Sequence, residues 1–166
     1  MSRIIVCDTG PLLHLSEADA IHLLEQAGDV LVPPAITIEF KRNAPERKLP
    51  GWVEIRQLGQ STIDVISGWV DKEIVDSGEA EAIGLALEVK CDWFLTDDAH
   101  ARQFAESLGL EVHGSIGLLL WAVAVGQVQN REQAHRLLEG LVHSSLWISE
   151  RVARESAKAI DELLHK

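Results

Sequence analysis

The sequence predicts an α/β fold, a short parallel sheet with helices on both faces. Three observations carry this. Short continuous apolar runs, Ile4–Val6, Val30–Val32 and Trp93–Thr96, alternate with longer stretches of helical period. Within the runs apolar and polar residues do not alternate, so no face of the strand is reserved for water. Hydrophobic residues make up 46% and charged residues 25% of a 166-residue chain. That balance supports one buried core and argues against disorder.

The first run ends at Cys7-Asp8, and Thr9-Gly10-Pro11 turns the chain. A helical pattern follows through Leu12, Leu13, Leu15, Ala20, Ile21, Leu23 and Leu24, with Gly28 as its stop. Val30–Val32 is the second strand. Pro33-Pro34 then sets up a helix over about Ala35–Arg42, because proline suits a first helical turn. Asn43–Gly51 reads as loop and Val53–Leu58 as an edge strand. Ser61–Val70 is helical. Ser77 is a good N-cap for a long helix to about Val89, with Glu79 and Glu81 near its start. Trp93–Thr96 is the third core strand, and a helix from Asp98 to Leu108 ends at Gly109. Leu110–Val112 is a further short strand. Helices then cover Ser115–Val125, Arg131–Val142 and Ser149–Leu164. The expected organisation is a core over residues 1–128 and a helical C-terminal extension, 129–166, packed on the same domain.

Composition excludes several classes. No apolar run reaches the roughly 18 residues of a membrane span, and the start MSRIIVCDTG is not a signal peptide. Cys7 and Cys91 each sit in an apolar run and read as reduced core thiols of a cytoplasmic protein. The net charge is −11, and residues 1–129, with 9 Lys and Arg against 20 Asp and Glu, hold all of it. An acidic chain by itself argues against nucleic-acid binding, unless several acids belong to a site that holds cations.

Position favours such a site. In an open α/β sheet, sites form beyond the carboxyl ends of strands. Asp8 follows strand one directly, and Asp97 and Asp98 follow strand three. Glu39 lies on the helix after strand two, and Glu79 and Glu81 open the helix before strand three. Convergent carboxylates repel one another unless a cation compensates. Mg²⁺ or Mn²⁺, hard and oxygen-ligated, is the natural partner. The chemistry implied is hydrolysis of a phosphodiester by metal-activated water. Each acid also has a plainer role available. Asp8 could cap a turn, Asp98 could cap a helix, Glu79 could favour a helix dipole, and Glu39 could be solvated on an amphipathic helix.

The stretches IIVCDTGPLLHL, VPPAITIEF, DSGEAEAIGLALEVKCDWFLTDDAHAR and LGLEVHGSIGLLLWAVAVGQV occur in this order and span most of residues 3–128. Together they resemble PIN-domain proteins, particularly the branch described as predicted nucleic-acid-binding PIN-like proteins. The resemblance implies a PIN-like three-layer α/β/α sandwich with a metal-binding acidic pocket. It implies a Mg²⁺- or Mn²⁺-dependent ribonuclease of VapC type, the toxin of a toxin–antitoxin pair, with RNA as substrate, an antitoxin protein as partner and a homodimeric assembly. Carried over by residue, Asp8 is the first acid, Glu39 the second and Glu81 the third. The fourth falls on Asp98 by its Thr-x-Asp spacing or on Asp97 as the strand-end acid. Thr9 matches the hydroxyl residue after the first acid, and Glu79 is left as a helix-start residue. The third acid is a Glu where the commoner toxins have Asp.

Other constellations are poorer. Asp8-Thr9-Gly10 matches the aspartic-protease triplet, but that chemistry needs two such loops in a β-rich fold. A phosphoaspartate receiver would place a Lys after a later strand, and none follows. Seven His are scattered without a metal-ligand pair at i, i+4 spacing, so zinc is not expected. Lys41, Arg42, Arg47 and Lys48 form one basic patch, open between a solvated loop and an RNA-backbone contact. Five Trp and no Tyr are read as core or interface anchors rather than stacking platforms. The strip Ile116, Leu119, Leu120, Val123 is core or dimer surface. A non-catalytic PIN-like module that binds nucleic acid or a protein is the competing reading.

Overall fold

The computed structural model describes residues 2–165. Among them are five strands, all parallel, in the order β3-β2-β1-β4-β5. β1 (Ile4–Cys7) and β4 (Trp93–Leu95) lie side by side at the centre, flanked by β2 (Asp29–Val32) with β3 (Glu54–Ile55) and by β5 (Val112–His113). The chain winds outward from β1 to β3, then crosses back to β4 and continues to β5. The order therefore reverses between β1 and β4, the place where open α/β sheets form a crevice at their carboxyl ends. The register pairs Cys7 with Leu95, so Asp8 and Thr96 emerge from the sheet together.

Helices α1 (Thr9–Glu17), α2 (His22–Ala27), α3 (Pro34–Asn43), α4 (Gln60–Asp71), α5 (Ser77–Glu88), α6 (Ala99–Ser107), α7 (Ser115–Ala124), α8 (Arg131–Val142) and α9 (Glu150–Leu163) complete the α/β/α sandwich. α3, α4 and α5 pack together, α7, α8 and α9 form a second group, and α1 touches both α3 and α8. Central strand residues Ile5, Val6, Cys7, Phe94 and Leu95 are fully buried. The same core includes Leu137, Leu138, Leu141 and Ile160 of the C-terminal helices. Cys7 and Cys91 are free thiols. Among the described residues no helix is long and apolar enough to cross a membrane.

Four expectations change. The single helix expected before Gly28 is two, because Asp19 takes φ 55° and breaks it; Asp tolerates that left-handed conformation through local hydrogen bonding. The edge strand expected over Val53–Leu58 shrinks to Glu54–Ile55, both exposed, since only one neighbour supplies hydrogen bonds there. The last strand is Val112–His113 rather than Leu110–Val112, because Phe94 N–H donates to Glu111 O and Thr96 N–H to His113 O. The N-cap of α5 is Asp76, not Ser77. Asp76 Oδ1 accepts from Glu79 N–H, and Glu79 Oε1 accepts from Asp76 N–H, a reciprocal capping box. The strip on α7 is core, with Leu119 and Val123 buried and Ile116 and Leu120 packed against them. Trp52, Trp69, Trp93 and Trp121 join the core or its rim, but Trp147 is 85% exposed.

Candidate functional site

Asp8 is the centre of the site. β1 delivers it in extended backbone, and it caps α1: its Oδ1 accepts from Thr9 N–H at 2.9 Å. Its Oδ2 accepts from Thr96 Oγ1, also at 2.9 Å, so the two central strand ends are tied through one carboxylate. Only 7% of Asp8 is exposed. Burial raises its carboxyl from 3.8 to about 6; the Thr9 and Thr96 hydrogen bonds oppose the rise, and the charges of Glu39 and Asp76 add to it.

Glu39 reaches the site from α3. Thr9 Oγ1 donates to its Oε2 at 2.5 Å. Its carboxylate also occupies the space beside Gly78 on α5, where any Cβ would overlap Glu39 Oε1. The missing Cβ of Gly78, rather than its backbone angles, thus leaves room for Glu39, and any larger residue would push that carboxylate aside. Thr9 itself is buried. Its hydroxyl is directed at Glu39 and holds that acid in place.

α5 brings two more carboxylates to the site, on opposite sides of its own axis. Glu79 faces Asp8, Asp76 and Asp98. Burial raises it from 4.5 to about 7, and those three charges add to the rise against the hydrogen bond from Asp76 N–H. Glu81 lies on the other flank, raised by burial and then by Glu39 alone. The helical offset explains the split, since two residues turn a side chain by roughly 200° around the axis. Asp98 caps α6 through Oδ1, which accepts from Ala101 N–H at 2.8 Å. Its backbone N–H donates to Thr96 Oγ1 at 3.2 Å, and its exposed carboxylate acts on Glu79.

Asp97 has different surroundings. Its Oδ1 accepts from Ser115 N–H at 2.7 Å, and its Oδ2 accepts from Ser115 Oγ at 2.5 Å and meets His14 Nδ1 at 2.7 Å. These bonds join β4 to α1 and α7 and use the carboxylate inside the protein. Lys41 and Arg42 are exposed on the last turn of α3, two and three residues beyond Glu39. His100 is also exposed and meets Ile74 O at 2.6 Å, away from the acids.

The sequence-derived set thus divides. Asp8, Glu39 and Asp98 surround the switch point together with Glu79, while Glu81 flanks Glu39 and Asp97 is engaged in a clamp. Asp76 was missed, because Ser77 beside it is an equally good cap type. Its signal was the spacing Asp76-x-x-Glu79 of a capping box. Among the described residues no group of three or more His, Cys, Asp or Glu side chains closes to a metal-holding arrangement. The donors nevertheless suit a hard cation: they are carboxylates, two of them carry strongly raised pKa values, and Mg²⁺ commonly takes one or two carboxylates with water completing its shell.

A family model described as a PIN domain matches residues 4–162, nearly the whole chain including α8 and most of α9. No curated protein matches the chain.

Proposed function

The chain belongs to the PIN-domain family, a nuclease-like fold, and from that premise we propose that it is a Mg²⁺- or Mn²⁺-dependent endoribonuclease of the cytoplasm. One observation carries the reading. At the end of β1 the strand-end acid Asp8 and Glu79 of α5 hold their protons to about 6 and about 7, chiefly because burial disfavours their charge and then because acids gather around them, a cost that a divalent cation would relieve.

In this reading Asp8, Glu79 and Asp98 hold the metal, and Glu81 is the alternative third acid. Such an ion, when bound, supplies positive charge to the scissile phosphate and lowers the pKa of water. Glu39, fixed by Thr9 and by the open space at Gly78, orients the attacking water through Oε1, the oxygen not bonded to Thr9. Thr96 holds Asp8 in line with Asp98. The Asp97 clamp on Ser115 and His14 keeps α1, β4 and α7 in place beneath the acids. Lys41 and Arg42 contact the RNA backbone beside Glu39, which answers the objection raised by the −11 net charge. As a toxin, the protein would be encoded beside a small antitoxin-like reading frame, and the antitoxin would be its partner in a complex built on a homodimer.

The test is cleavage of single-stranded RNA by the purified chain with Mn²⁺ or Mg²⁺. Cleavage is expected to stop with EDTA and to fall more than about a hundredfold in Asp8→Asn, the scale of losing a group that stabilises the transition state. Glu79→Gln and Glu81→Gln separate the two candidates for the third acid, and the larger loss identifies it. A protein that cuts no RNA of any sequence with either metal, and whose Asp8→Asn variant still binds nucleic acid or a protein partner, is instead the non-catalytic binding module.

A further inference from the structure

A hollow of about 330 Å³ lies between α6, α7 and the α8–α9 loop, directly beside the acids. Its lining is mixed: Asp97, Asp98, Arg102 and His113 are polar, and Ile116 and Trp147 are among the apolar side chains. The volume is at the lower limit of small-molecule sites, roughly 300 Å³. Asp98 belongs both to this hollow and to the candidate metal site.

Trp147 is the unusual part. Exposure alternates along the loop: Leu146 and Ile148 are half-buried, and Trp147 between them is 85% exposed. The loop that presents it is anchored. Ser145 donates to Glu17 Oε1 through both N–H (3.0 Å) and Oγ (2.6 Å), Ser144 Oγ donates to Leu141 O at 2.6 Å, and Leu146 N–H donates to Ser144 Oγ at 3.2 Å. A large aromatic ring held in water on a fixed loop contributes nothing to the core. It offers a flat face, carried on an anchored backbone, at the rim of the hollow. Trp147 lies in the loop that joins α8 to α9, so the C-terminal segment would add to the site as well as to the core.

We propose that this hollow is a subsite for an unpaired nucleobase of the RNA substrate, with the Trp147 indole as the stacking platform and Ile116 and Val152 as its apolar walls. The inference rests on the ribonuclease reading above. The occupant follows from this mixed lining and from the acids beside it. A nucleotide joins a flat apolar base to an anionic phosphate, and only the phosphate needs a cation. With its phosphate at the acids, the adjoining base has the hollow next to it. Stacking on an aromatic face is tolerant of base identity but demands an unpaired base, so the substrate class is single-stranded RNA.

The experiment uses the full chain carrying Glu39→Gln, which keeps the metal acids Asp8, Glu79 and Asp98 and is expected to slow cleavage, with Mg²⁺ and a short fluorescein-labelled oligoadenylate followed by anisotropy. Trp147→Ala and Trp147→Leu are expected to weaken binding about tenfold or more, and Trp147→Phe less than about threefold, given the strength of base–aromatic stacking. An abasic strand of equal length should bind the Trp147 variants and their parent alike. With wild-type Glu39, Trp147→Ala is expected to raise KM for single-stranded RNA far more than it lowers kcat. Equal oligoadenylate binding by all Trp147 variants overturns the subsite while leaving the ribonuclease reading in place, and gives the exposed ring to a protein partner. A Leu variant that binds as the parent overturns stacking in favour of simple apolar contact. Failure of every form to bind or cut RNA overturns both readings.

Discussion

At Asp8, placement at the end of β1 makes the residue visible in the sequence, and burial makes it titrate abnormally. Its carboxyl stands at about 6 in the folded protein against 3.8 for an exposed one. Between those values the folded chain binds a proton that the unfolded chain has released. The stabilising effect of the raised group is complete below about pH 4 and is lost as pH rises through about 6. Two units at roughly 1.4 kcal/mol each give an upper figure of about 3 kcal/mol. Asp8→Asn is therefore expected to stabilise the metal-free protein by about 1 to 3 kcal/mol near pH 7.5, and by almost nothing near pH 4. Urea unfolding in EDTA at both pH values measures this, and a gain that does not depend on pH would mean that charge burial is not its source. Gly78 poses the opposite case, a residue with no chemistry of its own whose missing Cβ admits Glu39. Gly→Ala inside a helix ordinarily stabilises by about 0.5–1 kcal/mol. Here Gly78→Ala should displace Glu39, forfeit most of that gain, and lower RNA cleavage by about tenfold or more. Full cleavage in a stabilised Gly78→Ala protein would show that Glu39 need not stay where it lies.

The start of α5 is the element on which the site depends most, since it carries Asp76, Gly78, Glu79 and Glu81 within its first two turns. Asp76 both caps the helix and adds charge beside Asp8 and Glu79. Asp76→Asn separates the two contributions, because Asn caps as well as Asp but carries no charge. Stability near neutral pH should change by less than about 0.5 kcal/mol. The acidic limb of the cleavage profile should move down by a few tenths of a pH unit, the size expected of one charge at a partly solvated separation. An unmoved limb would place the rate-determining ionisation elsewhere. How far elements could be read from sequence follows from what stabilises them. β1, β2 and β4 were legible because buried parallel strands must be continuously apolar. β3 and β5 were legible in place but not in extent, because the bounds of two-residue edge strands are set by a neighbour's hydrogen bonds. The break at Asp19 was hidden because apolar spacing continues across it. Asp8 and Glu39 were legible from order along the chain. The choice between Glu79 and Glu81 was not, since it depends on the rotation of α5 about its axis, which the neighbouring elements set.

At the scale of the molecule, α8 and α9 share the core of the sheet through Leu137, Leu138, Leu141 and Ile160. The match to the family also runs through them to residue 162. Folding of the whole chain is therefore coupled to whatever the acids at its centre bind. A ligand that binds only the folded chain stabilises it by about 2.7 kcal/mol at a hundred times its Kd. For a chain of this size each kcal/mol is worth roughly 2–4 °C in Tm. Saturating Mn²⁺ is thus expected to raise the Tm by about 5–10 °C near pH 8. Near pH 5 the rise should largely disappear, because a cation must displace the protons that Asp8 and Glu79 hold up to about 6 and about 7. The competing source of stabilisation is nonspecific, since the chain carries a net charge of −11 and any divalent cation screens it. Asp8→Asn distinguishes the two, as it changes the net charge by only one and removes the central carboxylate. A Tm rise lost in that variant places the cation at Asp8, and an equal rise in both proteins assigns the effect to the acidic surface and removes the physical basis for a metal-dependent site.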